Sequence, residues 1–514
     1  MSKRVITSRR TRRQFLRHVA AAGAAAAVAT AIPKKLLAQT TLIPDTPVPA
    51  RPVKRMNVLF FMSDDMRVEL GCYASMFGAK TPNFDALANS GVRFDRNYCQ
   101  FPLCNPSRSS MLTGHRPTET GVLGNRQAFR TIHPEFTSLP QLFRENGYVS
   151  LRTGKIFHGG IDDPKAWDVG GGVPEGNGGA GGHPENIPRA KIPMPNGILA
   201  PLPQDTAQAA HSDELIVLDG NGEGHPDYHT ADTAIAYLNK FKDQPFFLGC
   251  GFVKPHSPPC AAKRFLDLYD VNKIELTPDF AAWPTVPPGF PRAAIRPRNA
   301  DLFIGRGASR DEAREVIRMY IASITWADWN LGRVIAELER LGLRDNTIVM
   351  FSVDHGYQLG EKGKWSKAGS LFEMGTRTPL IMSVPGAKGN GTACYRIVEQ
   401  LDVYPTLVEL CGLPKPDGIE GTTLTPLLND PSAAWDKPAY SVWSEDGRTL
   451  HGVAVRTPQW RFAEFGNNGE HGAMLFDREK DPLEMTNLAY QSDYAQVRTA
   501  LSALTRSYAA TLKT

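Results

Sequence analysis

The stretch "MNVLFFMSDDM" (residues 56–66) decides how the rest of the chain is read. An apolar run this short, bounded by polar residues, predicts a strand rather than a helix. It delivers two adjacent carboxylates, Asp64 and Asp65, to its C-terminal end. The theme returns in "NTIVMFSVDHGYQLG" (346–360), an apolar strand ending in Asp354-His355. Between and around these runs the periodicity alternates. "PNFDALANSGVRF" (82–94) has helical spacing with a Gly stop after Ser90, and "LPQLFRENGYVSLRTGKIFH" (139–158) reads as helix, Gly turn, strand and loop. "TADTAIAYLNKF" (230–241) is helical and "PFFLGCGFVKPHSPP" (245–259) is a strand running into a loop. A long amphipathic helix covers roughly 311–342, "RTPLIMSVPG" (377–386) is another strand and "LDVYPTLVELCG" (401–412) another helix. Residues 159–230 are rich in Gly and Pro without clear periodicity and predict an irregular insertion.

Strands alternating with helices predict an α/β fold built on a large mixed, mostly parallel sheet sandwiched by helices. In such sheets ligands bind beyond the carboxyl ends of the strands. Both acidic pairs fall at such ends although nearly 300 residues separate them. Asp64, Asp65 and Asp354 gathered there would repel one another unless a cation sat among them, and a hard divalent ion held by carboxylate oxygens resolves the conflict. His355 either ligates that ion or hydrogen-bonds beside it. The loops at the same sheet edge supply Lys155 and His158, Lys254 and His256, and Lys364 and Lys367. Taken singly each lysine reads as a solvated surface residue; together they would build a pocket for a tetrahedral oxyanion and neutralise or protonate a departing oxygen.

The chain has 514 residues, long enough for a large core, which excludes a peptide hormone or a lone binding module. Its formal charge of +5 is misleading, because residues 1–39 hold nine of the 58 basic residues and no acid. The remaining 49 basic residues face 53 acidic ones, so nothing in the balance argues for nucleic acid. Thr11-Arg12-Arg13-Gln14-Phe15-Leu16-Arg17, followed by an Ala-rich stretch from Val19 to Ile32, resembles a twin-arginine export signal. That stretch is shorter than the roughly 20 residues a bilayer span needs, so residues 1–39 read as a cleaved leader and not as a stable membrane anchor. The resemblance implies a bacterial protein, handled by the twin-arginine export machinery and delivered to the periplasm or secreted. Seven cysteines show no CxxC pair and no zinc spacing.

One cysteine stands apart. In "LCNPSRSSMLTGHRP" (103–117), Cys104-Asn105-Pro106-Ser107-Arg108 and Leu112-Thr113-Gly114 resemble the first signature of the sulfatases. Gly147-Tyr148, Ser150, Gly154-Lys155 and His158 resemble the second, with its spacing kept. "SDDMRVELGCYA" (63–74), "GKIFHGG" (154–160), "FVKPHSPP" (252–259) and "SVDHGYQLGEKGKWSK" (352–367) are most similar to the iduronate-2-sulfatase-like branch. The likeness extends to "LFDREKDPLEMTNLA" (475–489), where these enzymes carry a small C-terminal subdomain.

The resemblance implies an alkaline-phosphatase-like catalytic domain over 40–413 and an α+β subdomain over 414–514. It implies that Cys104 is oxidised to Cα-formylglycine (3-oxoalanine) by a formylglycine-generating enzyme, for which Pro106 and Arg108 belong to the recognised segment. A hydrate of that aldehyde attacks sulfur, expels the alcohol, and releases sulfate as it collapses. It also implies a calcium ion (magnesium being the alternative) on Asp64, Asp65, Asp354, His355 and modified Cys104. Arg108 would orient the hydrate, Lys155 and His158 would flank it with His158 as base, and His256 and Lys367 would contact the sulfate and protonate the leaving oxygen. Lys254 and Lys364 would be supporting or surface residues. The expected substrate is a sulfated glycan bearing a uronate 2-O-sulfate. Two alternatives stay open at this point: a formylglycine-dependent phosphonate monoester or phosphodiester hydrolase, and a non-catalytic glycan-binding protein on the same scaffold.

Overall fold

The structure, a computed structural model, describes residues 55–171, 189–192 and 213–512; the export-signal reading of residues 1–39 lies outside the described residues. The strands in chain order are β1 (Asn57–Asp64), β2 (Val92–Tyr98), β3 (Val149–Gly154), β4 (Arg189–Ile192), β5 (Leu215–Leu218), β6 (Phe246–Pro255), β7 (Cys260–Ala262) and β8 (Thr347–Val353). They continue as β9 (Arg377–Thr378), β10 (Leu380–Ser383), β11 (Thr392–Glu399), β12 (Ala439–Trp443), β13 (Gly452–Arg456), β14 (Trp460–Phe465) and β15 (Ala473–Asp477).

The main sheet is eight-stranded in the order β11-β2-β10-β8-β1-β6-β3, with β9 beside β2. Strand β1 sits at its centre, parallel to both β6 and β8, and β3 is parallel to β6. The strand predicted over 377–386 is two short pieces, β9 and β10, interrupted at Pro379, which has no N–H to give to a ladder. Strand β10 runs antiparallel to β8 and β2, which makes the sheet mixed.

The apolar character of β1 follows from its position, because both faces are covered. Leu59 and Phe61 join one core with the helices Pro82–Asn89, Pro226–Phe241 and Arg310–Arg340. Val58, Phe60 and Met62 join the opposite core with the helices Cys104–Thr113, Leu139–Glu145 and Val403–Leu410. The same alternation splits β8, with Val349, Phe351 and Val353 on one side and Ile348 and Met350 on the other. A strand with two buried faces cannot slip by one residue without exchanging its whole apolar set, which fixes where the Asp64-Asp65 pair emerges.

The insertion over 159–230 is not wholly irregular. Leu215–Leu218 is a continuous apolar run that pairs antiparallel with β4 and parallel with β7, and the helix that follows begins at Pro226, with the His225 ring nitrogen capping Asp227 N. The C-terminal part holds the antiparallel sheet β12-β13-β14-β15 and the helix Ala495–Ala509. This sheet is stitched to the main body by Val442 N donating to Gln100 O (2.9 Å) and Ser441 Oγ to Cys99 O (2.6 Å). Beneath that seam Glu373 Oε2 is buried against Arg461 Nη2 at 2.7 Å, with Arg456 and Arg478 near by. Among the described residues no helix is long and apolar enough to cross a membrane.

Candidate active site

Four elements converge at the carboxyl edge of the sheet. Strand β1 ends on Asp64, and Asp65 follows with φ +60°, a left-handed conformation that Asp tolerates better than most residues. Strand β8 is followed by Asp354 and His355. The helix Cys104–Thr113 starts on Cys104, at the end of the helix whose dipole favours negative charge. Strand β3 ends at Gly154, whose φ of +69° turns the chain sharply; a Cβ there would lie 2.0 Å from Gly251 O. That turn sends Lys155 inward.

These groups meet. Asp64, Asp65, Cys104 and His355 each offer an atom within 4.8 Å of the others, and all four are buried. Cys104 Sγ lies 3.5 Å from Asp64 Oδ1 and 3.4 Å from His355 Nε2. His355 Nε2 is 3.5 Å from both Asp65 Oδ1 and Asp354 Oδ2, while its Nδ1 faces Gly356 O at 3.0 Å. With Nδ1–H donated to that carbonyl, Nε2 carries the lone pair that points into the cluster. Asp354 stands at the edge of the group: Oδ1 accepts N–H from Asp65 (3.3 Å) and His355 (3.1 Å), and Oδ2 accepts Arg108 Nε at 2.9 Å.

Arg108 is fully buried and spends its remaining donors on Lys155 O (2.8 Å), Ile156 O (2.9 Å) and Ser63 O (3.3 Å). One guanidinium thereby ties the ends of β1, β3 and β8 together. Lys155 Nζ donates to Asp64 Oδ2, and Lys367 Nζ to Asp65 Oδ2 at 2.9 Å. His256 Nε2 is 3.7 Å from the same Asp65 oxygen and 3.4 Å from Lys367 Nζ, and its Nδ1 lies 2.7 Å from Ser257 O. His158 is half-buried with Nδ1 unpartnered.

Burial dominates the electrostatics and the charges decide its sign. Burial alone would raise Asp64, but Lys155 and Arg108 outweigh it and hold the carboxyl well below its usual range. Asp65 goes the other way: burial, reinforced by Asp64, Asp301 and Asp354, pushes it well up against the pull of Lys367. Burial and the neighbouring Asp64 push the Cys104 thiol well up, so it is a poor nucleophile as a thiol. Burial lowers His158 to about 3, with Lys155 adding to it, and lowers His256 to about 3, with Lys367 adding. Both rings are therefore neutral at neutral pH.

The donor set fits a hard divalent cation. Three carboxylates share one buried space, and Asp65 Oδ1, fully buried, has no hydrogen-bond partner. The structure brings Asp64, Asp65, Cys104, Arg108, Lys155, His256, Asp354, His355 and Lys367 into one network. His158 follows Lys155 by three residues on the same loop and feels the charges of Lys155 and Asp64. The surface reading of the lysines fails: Lys155, Lys254, Lys364 and Lys367 are all buried. Lys254 Nζ donates to His256 O (2.9 Å) and Pro258 O (2.8 Å), shaping the loop that carries His256, and Lys364 Nζ donates to Arg298 O (2.7 Å). Sequence reasoning missed Asp301, whose Oδ1 accepts Lys367 Nζ at 2.8 Å, and Tyr320, whose hydroxyl donates to Asp65 O at 2.5 Å. Asp301 sits just past a Pro-rich stretch, in a segment without periodicity, and Tyr320 looks like one more core residue of an amphipathic helix; neither carries a signal in the sequence.

The sulfatase family model matches residues 56–413, and a model of the C-terminal region of N-sulphoglucosamine sulphohydrolase matches residues 360–509. A sulfatase of Formosa agariphila is 31% identical over 88% of this chain and 86% of its own length. The iduronate 2-sulfatase of Mus musculus is 32% identical over 85% of this chain and 92% of its own. Among solved structures, an enzyme in complex with its substrate D-glucosamine-2-N,6-O-disulfate superposes with a TM-score of 0.68 over 89% of this chain and 98% of that one. At 24% identity it speaks for the fold alone. The chain belongs to the sulfatase family, and it is a sulfuric ester hydrolase.

Proposed function

We propose that the protein removes sulfate from sulfated saccharides, with a uronate 2-O-sulfate as the substrate class, using a formylglycine made from Cys104 beside a calcium ion. The observation that carries this reading is the convergence of Asp64, Asp65, Cys104 and His355 within 4.8 Å at the sheet edge, with Lys155 and Lys367 against them. The saccharide class is supported by the mouse relative, named an iduronate 2-sulfatase.

Asp64, Asp65, Asp354 and His355 with residue 104 would hold the cation, calcium or alternatively magnesium, whose charge would polarise a sulfate oxygen and ease deprotonation of a hydroxyl. A formylglycine hydrate at residue 104 would supply that hydroxyl, where a thiolate would leave an adduct that water displaces poorly. The chain's own groups do the rest. Arg108 fixes Asp354 and the Lys155–Ile156 backbone, so the nucleophile's surroundings are set before substrate arrives. Lys155 and Lys367 offset the ester's negative charge from two sides. His158 has Nδ1 unpartnered and open to accept a proton, against the burial and the Lys155 charge that disfavour its charged form. His256 Nε2, within 3.4 Å of Lys367 Nζ, lies on the route by which a proton reaches the departing oxygen.

Cys104, Pro106 and Arg108 are all buried, which supports oxidation of Cys104 by a formylglycine-generating enzyme before the chain folds. Export to the periplasm or beyond through the twin-arginine machinery would follow that step.

The test is to express the protein with a formylglycine-generating enzyme and examine the peptide spanning residues 97–126. The reading expects the mass of an aldehyde at residue 104, faster hydrolysis of 4-nitrophenyl sulfate than of a phenyl phosphonate ester, and, in a panel of defined sulfated saccharides, preference for a 2-O-sulfated uronate. Full activity from an intact Cys104 thiol, or faster phosphonate hydrolysis, refutes the mechanism; preference for a different sulfate position refutes the substrate class.

A further inference from the structure

A carboxylate outside every sequence motif stands on the cationic side of the site. Asp301 lies in the irregular segment before the helix Arg310–Arg340, yet it is only 9% exposed. Its Oδ1 accepts Lys367 Nζ at 2.8 Å, and the same ammonium donates to Asp65 Oδ2 at 2.9 Å and approaches His256 Nε2 at 3.4 Å. An ammonium has three N–H donors, and these acceptors engage all of them. Asp65, His256 and Asp301 offer atoms within 4.8 Å of one another, with Lys367 Nζ bonded to each.

The backbone explains why Asp301 stays there. Asn299 Oδ1 accepts Trp365 N at 2.9 Å, Asn299 Nδ2 donates to Gly363 O at 3.3 Å, and Leu302 N donates to Trp365 O at 3.3 Å. Phe303, at φ +51°, donates its N–H to Asp213 Oδ1 at 2.7 Å, and Asp213 Oδ2 accepts Arg306 Nε at 2.7 Å. The segment 299–303 is thus fastened to residues 363–365, two residues before Lys367, so the ammonium and its carboxylate partner travel on one unit.

We propose that Asp301 is a positioning residue for sulfate ester hydrolysis: it fixes the Lys367 ammonium between Asp65 and His256, so that the cation meets the ester from a constant point. The proposal rests on the reading that Lys367 faces the sulfate. A lysine stem is flexible, and its charge is placed only by what the ammonium binds. Without Asp301 the ammonium keeps Asp65 as its one charged partner and is drawn over that carboxylate, away from the ester.

The experiment uses the full-length, calcium-loaded enzyme with 4-nitrophenyl sulfate and the variants Asp301→Ala, Asp301→Asn, Lys367→Met and Asp301→Ala/Lys367→Met. Asp301→Ala should lower kcat by about 10- to 100-fold, the scale of a misplaced catalytic group, with KM changed by less than about threefold. Asp301→Asn, which keeps an acceptor oxygen, should recover part of that loss. In the Lys367→Met background, removing Asp301 should change kcat by less than about twofold, because the group it positions is already gone. Wild-type kcat in Asp301→Ala, or the same fold-loss in both backgrounds, overturns the proposal. If Asp301→Ala does not fold, Asp301→Asn with and without Lys367→Met is judged by the same criterion. Wild-type kcat in Lys367→Met overturns instead the placement of Lys367 at the sulfate, which separates the two failures.

Discussion

Replacing Arg108 tests how the site is held together. Its side chain has no exposure and serves Asp354 Oδ2, Lys155 O, Ile156 O and Ser63 O, with Asp64 Oδ2 at 3.5 Å. Arg108→Ala strips a buried carboxylate of its partner, a change of about 3–5 kcal/mol. It also leaves two close carbonyls without donors, at about 1–3 kcal/mol each. These contributions overlap, so about 5–8 kcal/mol is the expected loss for the variant. A folded region of this size unfolds with an entropy near 1 kcal/mol per kelvin, so Tm should fall by about 5–9 °C. Arg108→Lys restores a charge for Asp354 but cannot fork to the Lys155 and Ile156 carbonyls; it should lose about half as much. The assay is thermal melting followed by circular dichroism, with a chelator present so that cation binding does not contribute to the difference. A shift under about 2 °C for Arg108→Ala, or a lysine variant less stable than the alanine variant, would refute the reasoning that this guanidinium joins three strand ends.

Four further outcomes follow from the same contacts. Cys104→Ala should abolish hydrolysis of an aryl sulfate while leaving the circular dichroism spectrum and melting curve near wild type; activity within tenfold of wild type (roughly 1.4 kcal/mol in the barrier) contradicts it. Asp354→Asn should weaken calcium binding by at least about 10-fold in a calorimetric titration, and unchanged affinity counts against its place at the ion. Glu373→Gln leaves Arg461, 2.7 Å away, and Arg456 without their shared carboxylate, and should lower Tm by about 3–5 °C. Lys364, lowered to about 7 by burial and then by Arg296, is charged below that pH in the folded chain and up to about 10.4 in the unfolded one. Between those values the unfolded chain binds the extra proton, so wild-type stability should rise with pH relative to Lys364→Met, by about 1.4 kcal/mol per pH unit; a constant difference in Tm between pH 7 and 9 would exclude the buried neutral lysine.

The parts of the molecule legible in the sequence are those where one physical demand fixes residue type. Strand β1 must be apolar on both faces, so "NVLFFM" announced a strand, and the acids at the ends of β1 and β8 announced the sheet edge. The Gly147 turn foretold the strand and loop that deliver Lys155, while the need for glycine at 154, where only glycine clears Gly251 O, emerged from the structure. What stayed hidden depends on long-range pairing. Burial of Lys254 and Lys364 rests on carbonyls from loops with no periodicity, and a lysine's preference for the surface gives no warning of that. Strand β5 was lost inside a Gly-rich stretch because four apolar residues form a strand only once β7 is there to pair with them. Asp301 was lost because its segment is held by Asn299 and Asp213 through bonds spanning 60 to 90 residues.

The central claim is that one divalent cation sits among the carboxylates at the ends of β1 and β8 and touches residue 104. A crystal structure of the protein grown with calcium tests it most directly. The account predicts a single ion with oxygen ligands from Asp64, Asp65 and Asp354 at about 2.3–2.6 Å, His355 Nε2 turned toward it and the side chain of residue 104 in contact. An active enzyme whose calcium lies elsewhere, or which binds none among these groups, would contradict it.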